Sequence, residues 1–511
     1  SGTTTGSNQL AYNIKILHTA AWKDHTTSYL AVLSGQESLQ STPNSVLDGI
    51  RRRNLGLSMR LSYGYKERYY LEGSFGYNGS ERFAKDHRMG FFPSVGGAWV
   101  VSKEPFLLGS SKWLSFLKLR LSYGKVGNDG IIDTPRFVHL PSIGQDQPSG
   151  SFRPGLGQIS RYRITGYQNN DVTWEIAEQA NLGLETKFFN GLFEATVDIY
   201  QQVRHNVLAN RTVIPEAMGL GLQPLDNIGK VRSRGLDFAG KIQHAFNSDL
   251  WVILNGTFTY SKATYLKIEE AADKPEWQWK KGHDISQQVG YIAEGLFRDQ
   301  MEIDNSPVQG GDLMPGDIRY RDINDDGVID VKDAVHIGFP TTPRIIYGFN
   351  GFINYKGLEF SFAFQGSGQR GFFINPAAIS PFYGNHALLT AIYKDHWSVD
   401  NQAERPLWPR LSTKSITAHN PQEDYTTDKE TRMSTYFLKE CRFLRCTSLE
   451  LGYNLPKKWS RKLALKNLKV YVRANNPFLI SNFDLWDVEL GGNGFNYPIQ
   501  KTYSVGLNVN F

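Results

Sequence analysis

The sequence predicts an all-β protein, a transmembrane antiparallel β-barrel with short periplasmic turns and long extracellular loops. Three observations support this fold class: apolar and polar residues alternate with period two, the alternating stretches are long, and short and long connections follow each other strictly. Period-two alternation gives a strand one apolar and one polar face. Long strands with short turns at one end and long loops at the other are typical of outer-membrane barrels.

The alternation predicts about fifteen strands in this chain. It is clearest in residues 55–65, 117–123, 193–200, 358–365 and 503–511. We place the strands near residues 8–21, 26–37, 53–65, 69–79, 91–103, 114–126, 174–189, 191–205, 228–243, 249–265, 344–356, 358–368, 435–455, 466–480 and 499–511. Many exceed the five or six residues usual in globular sheets. A soluble β-sandwich is the alternative, but it would have to bury the apolar face against a second sheet.

The connections between these strands are of two kinds. Tight hairpin turns are predicted at Asn190-Gly191 and Lys356-Gly357, and the other short connections fall near residues 22–25, 66–68, 104–113, 244–248 and 456–465. The long ones span about 38–52, 80–90, 127–173, 206–227, 266–343, 369–434 and 481–498. Because fifteen is odd, an up-and-down barrel does not close antiparallel from these strands alone. We therefore expect at least one more strand before Ser1 and a longer protein.

Composition excludes several classes of protein. Aromatic residues make up 13% of the 511 residues, which argues against a disordered chain. The sequence has no run of about 18 apolar residues, so it predicts no membrane-spanning helix. The first residues lack the features of a signal peptide. Two cysteines, Cys441 and Cys446, are too few for a disulfide framework. A net charge of +6 from scattered basic residues does not indicate nucleic-acid binding.

The most specific local motif is the 322–333 loop, which has the spacing of a calcium-binding loop with Gly327 at its sharp turn. The expected side-chain ligands are Asp322, Asn324, Asp326 and Asp333, with the Val328 carbonyl and with Asp330 directly or through water. Ca²⁺ is the expected ion, but Asp rather than Glu at the twelfth position leaves Mg²⁺ possible. No amphipathic helices flank the loop, so we expect a metal staple within an extracellular segment, residues 298–342, and not a calcium sensor. An Asn/Asp-rich turn without metal is the alternative.

Aromatic residues in two long loops are candidates for substrate binding, since aromatic faces stack on sugars or cover apolar ligands. They are Trp277 and Trp279 in one loop and Phe382, Tyr383, Trp397 and Trp408 in the other. The alternative is that they form small cores that fold the loops. The sequence has no HExxH, GxSxG or CxxC motif, so we expect neither an enzyme nor an organic cofactor.

Five stretches together resemble one known family. They are residues 90–99 (GFFPSVGGAW), 102–106 (SKEPF), 119–128 (LRLSYGKVGN), 315–338, which begins PGDIRY and includes the 322–333 loop, and the terminal 502–511 (TYSVGLNVNF). In these motifs the chain is similar to the C-terminal part of SusC/RagA-type TonB-dependent outer-membrane transporters of Bacteroidetes. The similarity extends over nearly the whole chain.

The resemblance implies more than the spacing does. It implies a 22-stranded barrel in a Gram-negative outer membrane, of which residues 1–511 would be the C-terminal portion, without the plug and seven strands. It further implies a SusD-like surface lipoprotein as partner, energy from TonB-ExbB-ExbD through the N-terminal part, and import of an oligosaccharide or peptide. Lumen-facing Lys118, Arg120, Glu194 and Asp198 could line the path. The alternatives are a passive porin, a surface-binding barrel without energy coupling and a barrel-embedded hydrolase.

Overall fold

The computed structural model describes residues 6–40, 50–130, 137, 139–146, 161–214, 216–219, 222–383, 387–423, 433–462 and 465–510. Its strands are β1 Ser7–Trp22, β2 His25–Gln40, β3 Arg52–Tyr65, β4 Tyr69–Ser80, β5 Met89–Val100, β6 Leu114–Asn128, β7 Ser142–Asp146, β8 Arg161–Gly166, β9 Glu175–Phe188, β10 Phe193–Asn210, β11 Leu225–Ala245, β12 Leu250–Lys267, β13 Gln288–Gly290, β14 Ala293–Leu296, β15 Val308–Gln309, β16 Ile318–Tyr320, β17 Val328–Ile329, β18 Val335–Ile337, β19 Ile345–Tyr355, β20 Leu358–Phe373, β21 Leu438–Asn454, β22 Asn467–Asn475, β23 Leu479–Ser481 and β24 Thr502–Asn510.

Helices are short throughout the described residues. The α-helices are α1 Gln300–Asp304, α2 Pro376–Ile379, α3 Thr390–Lys394 and α4 Lys457–Lys462. The 3₁₀ turns are Lys85–His87, Val101–Lys103, Pro105–Ser110, Phe189–Gly191, Glu216–Met218, Glu276–Gln278, Val331–Asp333, Ile416–Ala418, Pro421–Glu423 and Val488–Leu490. None of the described helices is both long enough and apolar enough to cross a membrane.

The predicted all-β class and its strand pattern are confirmed. Each of the fifteen predicted strands overlaps one of the long strands, and the nine remaining strands are short segments of the connections. Both predicted hairpin turns have the left-handed backbone that such turns require, with φ of 56° and 86° at Asn190 and Gly191 and of 51° and 85° at Lys356 and Gly357.

The chain forms two compact units. The first consists of Ser1–Leu236, Ala263–Ala272 and Lys280–Gly282. In it, β1 to β6, β9 and β10 pair antiparallel in that order, and β7 and β8 form a separate hairpin within the connection between β6 and β9. Apolar side chains on one face of this sheet are exposed: Leu61 of β3 by 54% and Leu121 of β6 by 63%. A sandwich would bury that face, so the sandwich alternative is wrong.

The second unit consists of Asp237–Lys262, Asp273–Trp279 and His283–Phe511. Its long strands β12, β19, β20, β21, β22 and β24 pair in chain order, and β23 also pairs with β21. The long connections of this unit carry three two-stranded pairs, β13 with β18, β14 with β16 and the parallel β15 with β17. Cys441 and Cys446 are both buried on β21 as free thiols. The core of this unit lies largely in its connections, which form the candidate site.

Candidate functional site in the long loops

The long connections of the second unit share one apolar core, which we call the loop core. Among the described residues, 22 buried side chains form this cluster, from Tyr291 in the first connection to Val488 in the last. The largest fully buried members include Tyr320, Ile318 and Phe437. Because residues distant in sequence bury apolar surface together, the loops pack on one another into a single folded surface and are not separate, independently placed segments.

A buried carboxylate, Asp317, organises one side of the loop core. Its Oδ1 lies 2.9 Å from Nε of Arg410 and 2.5 Å from Nδ1 of His419. Its Oδ2 accepts from the backbone N–H of Met314 at 2.8 Å. Asp317 is 0% exposed and His419 2% exposed, so the pairing compensates for the desolvation of the carboxylate. This contact joins residues about a hundred positions apart.

A second buried carboxylate, Glu423, joins two segments of the loop core. Its Oε1 accepts from the Tyr320 hydroxyl at 3.0 Å and its Oε2 from the Ser434 backbone N–H at 3.2 Å. Burial raises the pKa of Glu423 to about 7, although the hydrogen bonds from Ser434 and Tyr320 act in the opposite direction. Burial and the nearby Glu423 also hold the pKa of Tyr320 well above its ordinary value.

The 322–333 loop packs against this core through its apolar and acidic residues. Ile329 is 5% exposed and Asp333 0% exposed. The Asp322 Oδ2 accepts from the Gly327 N–H at 2.8 Å, and φ of 80° at Gly327 makes the sharp turn. The two Asp333 oxygens accept from the N–H groups of Ile323 and Asp330, both at 2.8 Å. The loop is therefore closed by its own backbone donors.

Some of the side-chain oxygens of the 322–333 loop are suited to bind a hard cation, and others are not. The Asp322 Oδ1 is buried without a hydrogen-bond partner, and the Asn324 and Asp326 side chains lie on the same turn, joined by a 2.8 Å hydrogen bond. Asp333 is a weaker candidate because both of its oxygens already accept hydrogen bonds, and Asp330 caps the 3₁₀ turn Val331–Asp333. Within the described ranges no three His, Cys, Asp or Glu side chains are grouped as a metal site.

The predicted aromatic residues Trp277 and Trp279 lie against the end of this loop. Trp277 Nε1 donates to the Lys332 carbonyl at 2.8 Å, and the Gln278 amide donates to the Val331 carbonyl at 2.7 Å. The Trp279 carbonyl lies 2.8 Å from Nε2 of His336. Trp277 is 40% and Trp279 37% exposed, so both rings remain partly accessible. The structure thus brings together two predicted sites that lie far apart in the sequence.

The four aromatic residues of the other loop have two different environments. Phe382 and Tyr383 are exposed, by 51% and 46%. Trp408 is 2% exposed within the loop core, and Trp397 packs against that core and hydrogen-bonds Trp408 through its backbone. Trp408 also lines an apolar cavity of about 300 Å³ together with Leu389, Ile392, Phe437, Leu485 and Trp486. Its ring is not free to stack on a sugar, so we assign it a packing role.

The polar face of the first unit carries paired charges. Arg120 Nη2 lies 3.1 Å from Asp198 Oδ2, and its Nε lies 2.7 Å from Glu185. Lys118 shares Glu185 at 3.5 Å, and Glu194 pairs with Lys187 at 3.2 Å. The four residues proposed for the path therefore lie in ion pairs between strands: Lys118 and Glu194 pair with the adjacent β9, and the Arg120–Asp198 pair spans β9 from β6 to β10.

Asp317, His419 and Glu423 were not identified from the sequence. Asp317 falls in the PGDIRY stretch, which signalled the resemblance but gave no role for its acid. Nothing near Glu423 in the sequence signals burial, because its partners Tyr320 and Ser434 come from other segments.

Known proteins share both sequence and fold with this chain. Curated relatives include TonB-dependent receptor P26 of Formosa agariphila, 29% identical over 477 residues (88% of this chain, 45% of that protein), and TonB-dependent receptor SusC of Bacteroides thetaiotaomicron, 27% identical over 466 residues (88% and 43%). The chain thus spans less than half the length of these relatives. Among solved structures, the RagAB peptide importer in its closed-closed state matches with a TM-score of 0.73 at 21% identity, covering 99% of this chain and 55% of that one. Residues 2–510 match the family described as "TonB dependent receptor-like, beta-barrel", and the chain belongs to that family.

Proposed function

We propose that this chain is part of a TonB-dependent importer that carries an oligomeric nutrient across the outer membrane of a Gram-negative bacterium together with a SusD-like lipoprotein. The observation that carries the proposal is the family match over residues 2–510. The relative named SusC and the fold shared with the RagAB peptide importer support it. The energy would come from TonB-ExbB-ExbD through parts of the protein outside this chain.

The loop core supports the binding part of this proposal. A folded loop surface can hold a fixed arrangement of partly exposed aromatic rings, which a string of independent loops cannot. Trp277, Trp279, Phe382 and Tyr383 are the residues we propose for contact with substrate or lipoprotein. Aromatic faces suit both sugars and apolar peptide side chains, so the substrate class is an oligosaccharide or a peptide.

The experiment is purification of the native complex from its membrane, followed by mass spectrometry of subunits and bound ligand. We expect a transporter chain with a plug, a SusD-like lipoprotein and a ladder of either hexoses or peptides. Uptake of that ligand by cells should be lost on deletion of TonB. A plugless barrel with TonB-independent uptake would favour the porin, and ligand binding without uptake would favour the surface receptor.

We further propose that the 322–333 loop binds Ca²⁺ as a structural staple, with Mg²⁺ as the competing ion. The buried, unpartnered Asp322 Oδ1 is the observation that favours it. Asp322, Asn324 and Asp326 would supply side-chain oxygens and Val328 its carbonyl, with weaker roles for Asp330 and Asp333. A divalent ion would neutralise the clustered carboxylates and fix the loop against the core.

Calcium binding is testable by isothermal titration of the purified full-length protein after EDTA treatment. We expect one Ca²⁺ per chain at this loop and its loss in Asp322→Asn. Asp325→Asn is the matched control, since Asp325 is exposed and has a φ of 56°, which Asn tolerates. Equal binding by wild type and Asp322→Asn would contradict the proposal, and tighter binding of Mg²⁺ would reassign the ion.

A further inference from the structure

The connection between β5 and β6, residues 101–113, exposes a group of large apolar side chains at the short-turn end of the first unit. Phe106 is 69%, Leu108 59% and Trp113 51% exposed. Phe189 in the neighbouring turn between β9 and β10 is also 57% exposed. The Trp113 ring stacks on Phe188, with centroids 6.2 Å apart and an interplanar angle of 24°. Such a cluster at a turn costs solubility unless something apolar covers it.

A buried carboxylate fixes the first part of the same connection against β4 and β5. Glu104 is 7% exposed, and it accepts from the Tyr69 hydroxyl at 2.5 Å and from Trp99 Nε1 at 3.0 Å. Arg68 Nη1 lies 3.4 Å from its other oxygen. The 101–113 connection is thus held by the polar tips of two aromatic side chains.

Those two aromatic residues belong to the apolar face of the sheet. Tyr69 and Trp99 are directly paired in the register of β4 and β5, and Leu71 and Val95, on the same face two and four residues along the strands, are 58% and 53% exposed. In a barrel of this family that face contacts lipid, and its terminal aromatic residues lie at the headgroup level. Glu104 therefore holds the connection on the lipid side of the strand ends.

We propose that the 101–113 connection is a membrane-interface anchor, which inserts Phe106, Leu108 and Trp113 into the phospholipid leaflet at the short-turn end. The occupant is lipid because the connection is attached to the lipid-facing surface at both of its ends: Glu104 hydrogen-bonds Tyr69 and Trp99, and Trp113 stacks on Phe188, which shares the face of Leu119 and Leu184 in the register of β6 and β9. Exposed apolar side chains next to a Tyr and a Trp with hydrogen-bonded polar tips are the residue types that an interfacial segment needs. Glu104 is a positioning residue, which fixes the connection against the sheet.

The test uses the full-length protein in phospholipid nanodiscs with an environment-sensitive fluorophore on single introduced cysteines. Cys441 and Cys446 of this chain are 0% exposed, and any cysteine of the full-length protein outside residues 1–511 is replaced by Ser, so that labelling at Phe106→Cys or Leu108→Cys is selective. We expect blue-shifted emission at both positions and quenching by lipids spin-labelled near the headgroup. Asp24→Cys, in the turn between β1 and β2 at the same end, is the control, and we expect quenching there to be several-fold weaker.

Quenching at position 106 no stronger than at position 24 would overturn the anchor. The anchor would also be overturned if the label at position 106 were in water in nanodiscs and shielded from water only in native membranes. A protein, and not lipid, would then cover the connection. Combining Phe106→Cys with Glu104→Ala should lower quenching toward the control while the protein stays folded by its heat-modifiable migration. Undiminished quenching in that variant would remove the positioning role from Glu104.

Discussion

The strands of the first unit expose large apolar side chains, whereas the loop core of the second unit buries them. On the strands of the first unit, Leu61 and Leu121 are more than half exposed. The small buried cluster of this unit has four members among the described residues: Phe92 on β5, and Phe83, Val172 and Trp174 in connections. The loop core buries 22 such residues around two buried carboxylates. Strands are stabilised by cross-strand hydrogen bonds and by lipid, whereas the loops need a core of the kind found in water-soluble proteins.

This difference in burial predicts which truncated side chains should destabilise the protein most. A side chain exposed on the strands has lipid on one side, so truncation leaves no enclosed cavity. A side chain in the loop core is surrounded by protein, so truncation leaves a cavity. Matched pairs of variants measure this contrast.

The largest effect is expected for Phe437→Ala. Phe437 is 1% exposed and its ring lies 5.4 Å from that of Trp408 and 5.1 Å from that of Tyr436. Loss of a buried Phe should lower the free energy of loop unfolding by about 3–5 kcal/mol. Protease sensitivity of the loops in membrane-embedded protein measures it. Leu121→Ala on the strands is the control, expected to change the same quantity by about 1 kcal/mol or less, and equal effects would remove the contrast.

Glu423→Gln should change the free energy of loop unfolding slightly less than Phe437→Ala does, and the size of this change should depend on pH. Burial raises the pKa of Glu423 to about 7 from 4.5, so the folded loops bind its proton more tightly than unfolded ones. The contribution of Glu423 to the stability of the loops is therefore greatest below about pH 4.5 and is lost as the pH rises through about 7. Gln keeps the shape of the neutral acid, so its advantage over wild type should grow by on the order of 3 kcal/mol between pH 4.5 and pH 8.

The same protease assay at several pH values measures this difference. Glu404→Gln is the matched control, because Glu404 is an exposed Glu of the same loops. A pH-independent difference between Glu423→Gln and wild type would mean that Glu423 stays ionised in the folded loops.

The same contrast explains how much the sequence could predict. Strands were predictable because alternation is local: Leu117, Leu119 and Leu121 show their common face without reference to any other segment. The turns were predictable because Asn-Gly and Lys-Gly pairs favour positive φ locally. The metal motif at residues 322–333 was also local, and its backbone closure through Gly327 has the expected form.

The loop core was not predictable because its contacts join distant segments. Trp408 and Phe382 were both predicted as candidates for substrate binding from the same long loop, yet one is buried and the other half exposed. Whether an aromatic residue binds or packs depends on which segments fold over it, and a single sequence does not give that pairing. Asp317 likewise acquires its partners Arg410 and His419 only through folding.

The smallest effect is expected for the ion pair of Arg120 and Asp198 on the polar face of the strands. The side chains are 35% and 21% exposed and 3.1 Å apart, so water and salt screen their attraction. A double-mutant cycle with Arg120→Ala and Asp198→Ala should give a coupling of about 0.2–1 kcal/mol, decreasing as salt is added. Thermal unfolding monitored by heat-modifiable migration at two salt concentrations measures it. Because Glu185 also contacts Arg120, the cycle should be repeated in Glu185→Gln, where the coupling should rise as competition for Arg120 is lost. A large, salt-independent coupling would show that the polar face of the strands excludes water as the loop core does. The strands and the loop core would then differ only in that the strands also contact lipid.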